Sequence, residues 1–137
     1  MAPIGVAVIG TGFGQKVHIP GLQAHHQTEV VAVWNRDRTK AQSVADSCGA
    51  KLASNSLTEI LAQADVQAVT LATPPFAHYE MAKEIIAAGK RLLLEKPVTL
   101  SVEEAKDLQK RAEAKGVIVV PDFEFRYIPE WQHFAEL

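Results

Sequence analysis

Three strings in the chain have residue types and spacing that could do chemistry: Gly10-Thr11-Gly12-Phe13-Gly14-Gln15, Ala72-Thr73-Pro74-Pro75-Phe76-Ala77-His78, and Glu95-Lys96-Pro97. The first follows an apolar run and leads into a helical segment. A glycine turn in that position presents free backbone amides and the positive end of a helix dipole, which suits a diphosphate. Gly10 is placed to make the tight turn and Gly12 to let the backbone approach the phosphates, with Thr11, Phe13 and Gly14 flanking the contact. In the G-x-G-x-x-G pattern the third glycine falls on residue 15, which here is Gln15. Gly14 comes too early, so looser packing of helix on strand is expected. Pro20 lacks an amide proton and is expected to interrupt the helix after about two turns.

A second discriminating position lies at the end of the second strand, where NAD-binding domains place an acidic residue about 20 positions beyond the glycines to take the ribose hydroxyl. That place reads Trp34-Asn35-Arg36-Asp37-Arg38. A neutral Asn35 followed by a cation favours NADP, because Arg36, with Arg38 or Lys40, can pair with a 2′-phosphate that a carboxylate would repel. NAD is the alternative if Asp37 sits at the strand end. In a plainer reading Arg36, Arg38 and Lys40 are solvated charges and Asp37 only caps the next helix.

These strings need elements to hold them. The 137 residues are 47% hydrophobic and 22% charged, a globular composition. Mostly β-branched apolar runs occupy Ile4 to Ile9, Val30 to Trp34, Lys51 to Ala53, Val66 to Ala72, Arg91 to Leu94 and Val117 to Val120. Without polar alternation they read as strands buried on both faces. Helical spacing is clearest over His78 to Ala88 and Ser101 to Lys115; Ser101 with Glu104 makes a capping box, and Gly116 closes the second helix. The alternation predicts an α/β fold: a doubly wound parallel sheet of the Rossmann type, with six strands in the order 3-2-1-4-5-6. Residues 1–126 are assigned to this dinucleotide-binding domain. The segment after Pro129 reads as the opening of another helix, so residues 127–137 are assigned to the start of a carboxyl-terminal substrate domain. A terminal helix docking back on the first domain is the alternative.

Composition also excludes several classes. The single Cys48 can form neither an internal disulfide nor a multi-thiolate zinc centre, and no metal site is expected. With a net charge of −2 and no long Lys/Arg run, no nucleic-acid partner is indicated. No stretch approaches the roughly 18 apolar residues of a membrane span and the first residues form no basic leader, so no membrane partner and a cytoplasmic location are expected.

With His18 behind the glycine turn, the three strings resemble the glucose-fructose oxidoreductase, inositol dehydrogenase and MocA (Gfo/Idh/MocA) family of NAD(P)-dependent oxidoreductases, over nearly the whole chain. The resemblance implies that Lys96 is the catalytic residue of this chain, touching the reacting hydroxyl or carbonyl oxygen near the nicotinamide. An ammonium there can stabilise developing oxyanion charge, and partial burial would lower its pKa toward proton transfer. Glu95 is implied to pair with or orient a neighbour in the cofactor site, and Pro97 to fix the backbone, with a cis Lys96-Pro97 bond expected. Thr73 and Pro74 match the segment that runs under the cofactor, although Pro75 replaces the asparagine that often follows. His78 matches the histidine opening the next helix, either as a cofactor-site residue or as a capping or packing residue. His18 is expected to tie the glycine turn to its surroundings. Asp122 and Arg126 lie near the expected crevice as substrate contacts or as salt-bridge residues, and His133 falls too early to be the family's second-domain acid/base.

The implied function is hydride transfer between NAD(P) and a sugar, polyol or related small molecule in a homo-oligomeric parent enzyme. This chain would be its nucleotide-binding part, inactive by itself. The alternatives are a stand-alone dinucleotide-binding or redox-sensing module, and a family member that uses bound NAD for non-redox glycoside cleavage.

Overall fold

The computed structural model describes residues 2–136; Met1 and Leu137, the outer limits of the two segments assigned from sequence, lie outside the described residues. Strand β1 (Ile4–Ile9) leads through a π-helical turn (Gly14–His18) into α1 (Ile19–Ala24). There follow β2 (Thr28–Trp34), α2 (Arg38–Cys48), β3 (Leu52–Ser54), α3 (Leu57–Leu61) and β4 (Ala68–Leu71). A 3₁₀ turn (Pro75–Ala77) opens α4 (His78–Ala87), and β5 (Arg91–Glu95), α5 (Val102–Lys115) and β6 (Val119–Asp122) complete the sheet. A further 3₁₀ turn (Glu124–Tyr127) and α6 (Pro129–Ala135) end the described chain.

The sheet order is β3-β2-β1-β4-β5-β6 and every pairing is parallel, the expected topology. Because the strands are parallel, each crossover needs a helix on a face, and both faces are filled. Along β1, Ala7 and Ile9 join the core under α3, α4 and α5, while Val8 joins the core under α1 and α2. The strand order reverses between β1 and β4, which leaves a crevice at their carboxyl ends.

Local chemistry explains most boundaries. The Ser101 side chain accepts from the Glu104 amide at 3.2 Å, and Gly116 closes α5 in the left-handed region at φ 68°. The Glu104 carboxylate reaches one residue past the cap, accepting the Leu100 amide at 3.1 Å.

Three expectations are corrected. Pro20 does not end its helix: the preceding turn widens, with the Ile19 amide reaching back to the Gly14 carbonyl, and Pro20 falls in the first turn of α1, where a missing donor costs little. Gly14 packs tightly although it precedes the expected position, since a Cβ there would lie 2.9 Å from Val8 Cγ1. The last strand is neither buried on both faces nor confined to Val117–Val120. It runs to Asp122 with Pro121 inside it, and Val120 is exposed. An edge strand has one neighbour only, so it tolerates both a proline and solvent.

Candidate functional site

At the ends of β1, β2 and β4 lies a cavity of about 470 Å³ lined by Gly10, Thr11, Gly12, Asn35, Arg36 and Thr73 among others. Gly10 donates its amide to the Trp34 carbonyl at 3.0 Å and takes φ 101°. A Cβ there would sit 2.6 Å from the Ala72 carbonyl oxygen, so only glycine allows β1 and β4 to come this close. Gly12 differs: a Cβ built on it meets nothing within 4 Å. The protein leaves a space over Gly12 that it does not itself fill. Phe13 beside it is exposed and packs edge-on against the His18 ring at 5.5 Å.

At the end of β2, Asn35 bridges the glycine turn and the start of α2. Asn35 donates from Nδ2 to Thr11 Oγ1 at 2.5 Å and accepts the Asp37 amide on Oδ1 at 2.8 Å. Asp37 caps α2, accepting the amides of Thr39 and Lys40 at 2.9 and 3.3 Å. The capping reading of Asp37 is therefore the one observed. Arg36, Arg38 and Lys40 are exposed, and none of them is within ion-pair distance of an acid among the described residues. Arg36 and Lys40 border the cavity.

Under the other wall, Pro74 is exposed on the cavity and Thr73 is buried, its hydroxyl turned to Met81 Sδ at 3.8 Å. His78 packs inside the fold, one of its two readings. Its side chain is fully buried, and its ring spans two carbonyl oxygens at 2.8 Å each, Thr73 O from Nε2 and Pro97 O from Nδ1. It supports the Thr73 segment from beneath and ties it to the turn after β5.

Lys96 follows β5, and its peptide bond to Pro97 is cis, as expected. Its side chain is 45% exposed, and Nζ lies 2.9 Å from Glu124 Oε1, about equally far from the rings of Phe13 and Phe125, at 6.0 and 5.9 Å. The expectation of a lowered lysine pKa is overturned. The hydrogen bond and charge of Glu124 raise Lys96 above the ordinary lysine value, and the same contact holds the Glu124 carboxyl below its own. Burial, which would act in the opposite sense, is slight.

Glu95 pairs with its neighbours. Its side chain is 9% exposed and its carboxylate is engaged internally: Oε1 lies 2.9 Å from His18 Nε2, and Oε2 accepts the Lys96 amide at 3.2 Å. Asp122 Oδ2 stands 3.5 Å from the same His18 nitrogen. Burial first, and the neighbouring Glu95 charge second, push the Asp122 carboxyl above the usual aspartate value. His18, Glu95 and Asp122 thus bring one imidazole and two carboxylates within 4.8 Å, three ligand-type groups where the sequence suggested no metal site. The contacts described account for them as a buried polar cluster.

Sequence reasoning missed Glu124, for which no motif gave a signal, and the convergence of His18 with Asp122, which are 104 positions apart in the chain. Arg126 is exposed and makes no ion pair with a described residue. His25 and His26 stack on each other at 5.0 Å on the surface. Among the described residues no helix is long and apolar enough to cross a membrane.

Comparison with known proteins places this geometry. An uncharacterised oxidoreductase of Synechocystis sp. is 59% identical over 132 residues, covering 96% of this chain and 36% of its own length. Among solved structures, a protein of gentamicin A biosynthesis in complex with NAD superposes with a TM-score of 0.93 at 34% identity, over 99% of this chain and 39% of that one. A 3-ketoreductase from Actinomadura kijaniata in complex with NADP and TDP-benzene gives 0.92 at 30% identity, over 98% and 41%. The chain thus spans well under half the length of these relatives. The profile described as an oxidoreductase family with an NAD-binding Rossmann fold matches residues 4–123, and the chain belongs to that family, Gfo/Idh/MocA.

Proposed function

We propose that the chain binds NADP, with NAD as a weaker ligand, and is the nucleotide-binding part of an oxidoreductase acting on a sugar, polyol or related small molecule. The observation that carries this reading is the space over Gly12, bordered by the Arg36 and Lys40 cations and open where the strand order reverses. A diphosphate can come close to the backbone at Gly12, where no Cβ stands in its way, next to the amides that open a helix. Gly10, Thr11, Gly12, Phe13 and Gly14 form that cradle. Asn35 and Arg36 take the adenosine ribose and its 2′-phosphate; Asp37 turns its Oδ1 to the amides that open α2. Thr73 and Pro74 form the floor.

The nicotinamide, when bound, supplies hydride exchange with the substrate carbon. Lys96 presents a charged ammonium to the substrate oxygen and steadies the negative charge that builds there. Residues 127–137 begin the substrate domain, a reading supported by exposed Trp131 and Phe134 on α6 and by the greater length of the relatives. The lone, half-buried Cys48 supports a cytoplasmic setting. The 3-ketoreductase solved with a TDP-linked ligand supports a sugar-like substrate.

The test is ligand-induced thermal stabilisation of the chain, which follows RT ln(1 + [L]/Kd). NADPH is expected to raise Tm more than NADH at equal concentration, and Arg36→Glu to reverse that order. Equal shifts would remove the role of Arg36, and no shift with either would remove the binding claim.

A further inference from the structure

His18 lies where three walls of the crevice meet. It ends the π-helical turn that follows the glycine cradle, it is buried, and its Nε2 faces Glu95 from the end of β5 and Asp122 from the end of β6. The Glu95 carboxylate has two tasks: one oxygen meets His18, and the other accepts the amide of Lys96. Two residues beyond Asp122, Glu124 holds the Lys96 ammonium. Phe13, on the cradle itself, packs against the His18 ring and lies beside Nζ of Lys96. The contacts of Lys96 with Glu95, Glu124 and Phe13 therefore lead back, within one or two side chains, to His18 or to the strand end it braces.

Packing alone does not call for this arrangement. An apolar side chain would fill the position without bringing an imidazole against two carboxylates, and the Nδ1 of His18 is buried with no partner. A buried polar atom left without a bond costs free energy. The contacts that offset this cost are those of Nε2.

We propose that His18 is a positioning residue for Lys96, acting through Glu95, and that it couples occupation of the glycine cradle to the placement of the lysine. The first half stands on the geometry of the free chain; the second rests on the dinucleotide reading given above. His18 holds Glu95 against rotation, Glu95 holds the Lys96 backbone, and a shift of the cradle moves His18 because Gly14 ends the cradle and opens the turn that His18 closes. His18 does not itself touch the substrate.

The experiment compares the wild-type chain with His18→Ala and His18→Gln, with and without NADPH. Gln can still donate to Glu95, so it is the conservative variant and guards against a simple folding defect. Three readouts are taken: hydrogen exchange of the Lys96 amide, mass-spectrometric acylation rate of the Lys96 amine, and the carbonyl ¹³C titration of Asp122. In His18→Ala the Lys96 amide is expected to exchange at least tenfold faster and the acylation rate to change at least threefold. Amides of Val33 and Ile85, in the core, should stay within twofold, and the NADPH-induced change in acylation should vanish. The Asp122 midpoint should move further up, since the attraction of His18 is what opposes burial there. His18→Gln should restore Lys96 exchange to within twofold of wild type. Unchanged Lys96 behaviour in His18→Ala, or equal loss of protection at Val33 and Ile85, would overturn the proposal. If NADPH does not bind the wild type, the dinucleotide reading falls, while the free-chain comparison still decides whether His18 places Lys96.

Discussion

Replacing Gly12 by alanine separates what the fold needs from what a ligand needs. Gly12 is not among the glycines with positive φ, and a Cβ on it meets no atom within 4 Å. Where the native backbone suits alanine, Gly→Ala stabilises by about 0.4–1 kcal/mol through the unfolded chain. For a domain of this size that is a rise in Tm of about 1–4 °C. The same methyl group occupies the approach of the diphosphate. Losing one amide contact to a charged oxygen costs about 1.5–3 kcal/mol, hence roughly a 10- to 100-fold weaker Kd. Gly10→Ala is the control: its φ is 101° and its Cβ would lie 2.6 Å from a backbone oxygen, so it should lose about 3 kcal/mol or more of stability. The assay is a thermal melt beside calorimetric NADPH titration of each variant. A Gly12→Ala chain that melts higher and binds NADPH within twofold of wild type would refute the cradle.

Other expected outcomes follow from contacts already described. Gly14→Ala, whose Cβ would lie 2.9 Å from the Val8 side chain, should cost about 1–3 kcal/mol in a denaturant melt; no loss would mean that the helix moves aside freely. His78→Ala removes two buried contacts and leaves a cavity, for about 3 kcal/mol, read as a Tm fall on the order of 10 °C. Asp122 has a raised folded-state pKa, so its stabilising share is complete below its unfolded value and is lost as pH rises through the folded one. Asp122→Asn should therefore melt higher than wild type at neutral pH and equally near pH 3, below the unfolded aspartate value of about 3.9; a pH-independent difference would contradict this. In Glu124→Gln, the titration of Lys96 followed by its Cε resonance should move down toward the ordinary lysine value, and an unmoved midpoint would show that the pair does not persist in solution.

The sheet was legible because its signals are local and mutually consistent. Runs such as Ile4–Ile9 lack polar alternation, and Ser101 and Gly116 bracket α5 with side-chain and backbone chemistry that needs no tertiary information. Pro121 hid the end of β6, since a proline argues against a strand unless the strand is known to be an edge, and edges are a property of the assembled sheet. Pro20 misled for the opposite reason: its local rule is sound, but a widened turn absorbed it. In the site, the tight turn at Gly10 and the cis Lys96-Pro97 bond were readable because each depends on its own backbone and its immediate neighbours. His78 and Glu95 each had two readings from position in the motif, and both side chains are buried. Which way a side chain faces at a strand end depends on what stands opposite, and the partners of Glu95 come from residue 18 and from the following strand.

The same convergence decides what kind of chemistry Lys96 can offer. A lysine that accepts a proton near neutral pH needs burial or a neighbouring cation to favour its neutral form. Lys96 has neither: it is nearly half exposed and lies against Glu124, which favours the charged form. Under the proposed function it is a donor and a positive charge, suited to an oxygen on which negative charge grows. Glu124 then sets the terms on which Lys96 engages an oxygen, because an ammonium has three donors and one is already taken. The ion pair leaves two N–H bonds to be aimed, and the backbone they hang from is the one that Glu95 and His18 hold.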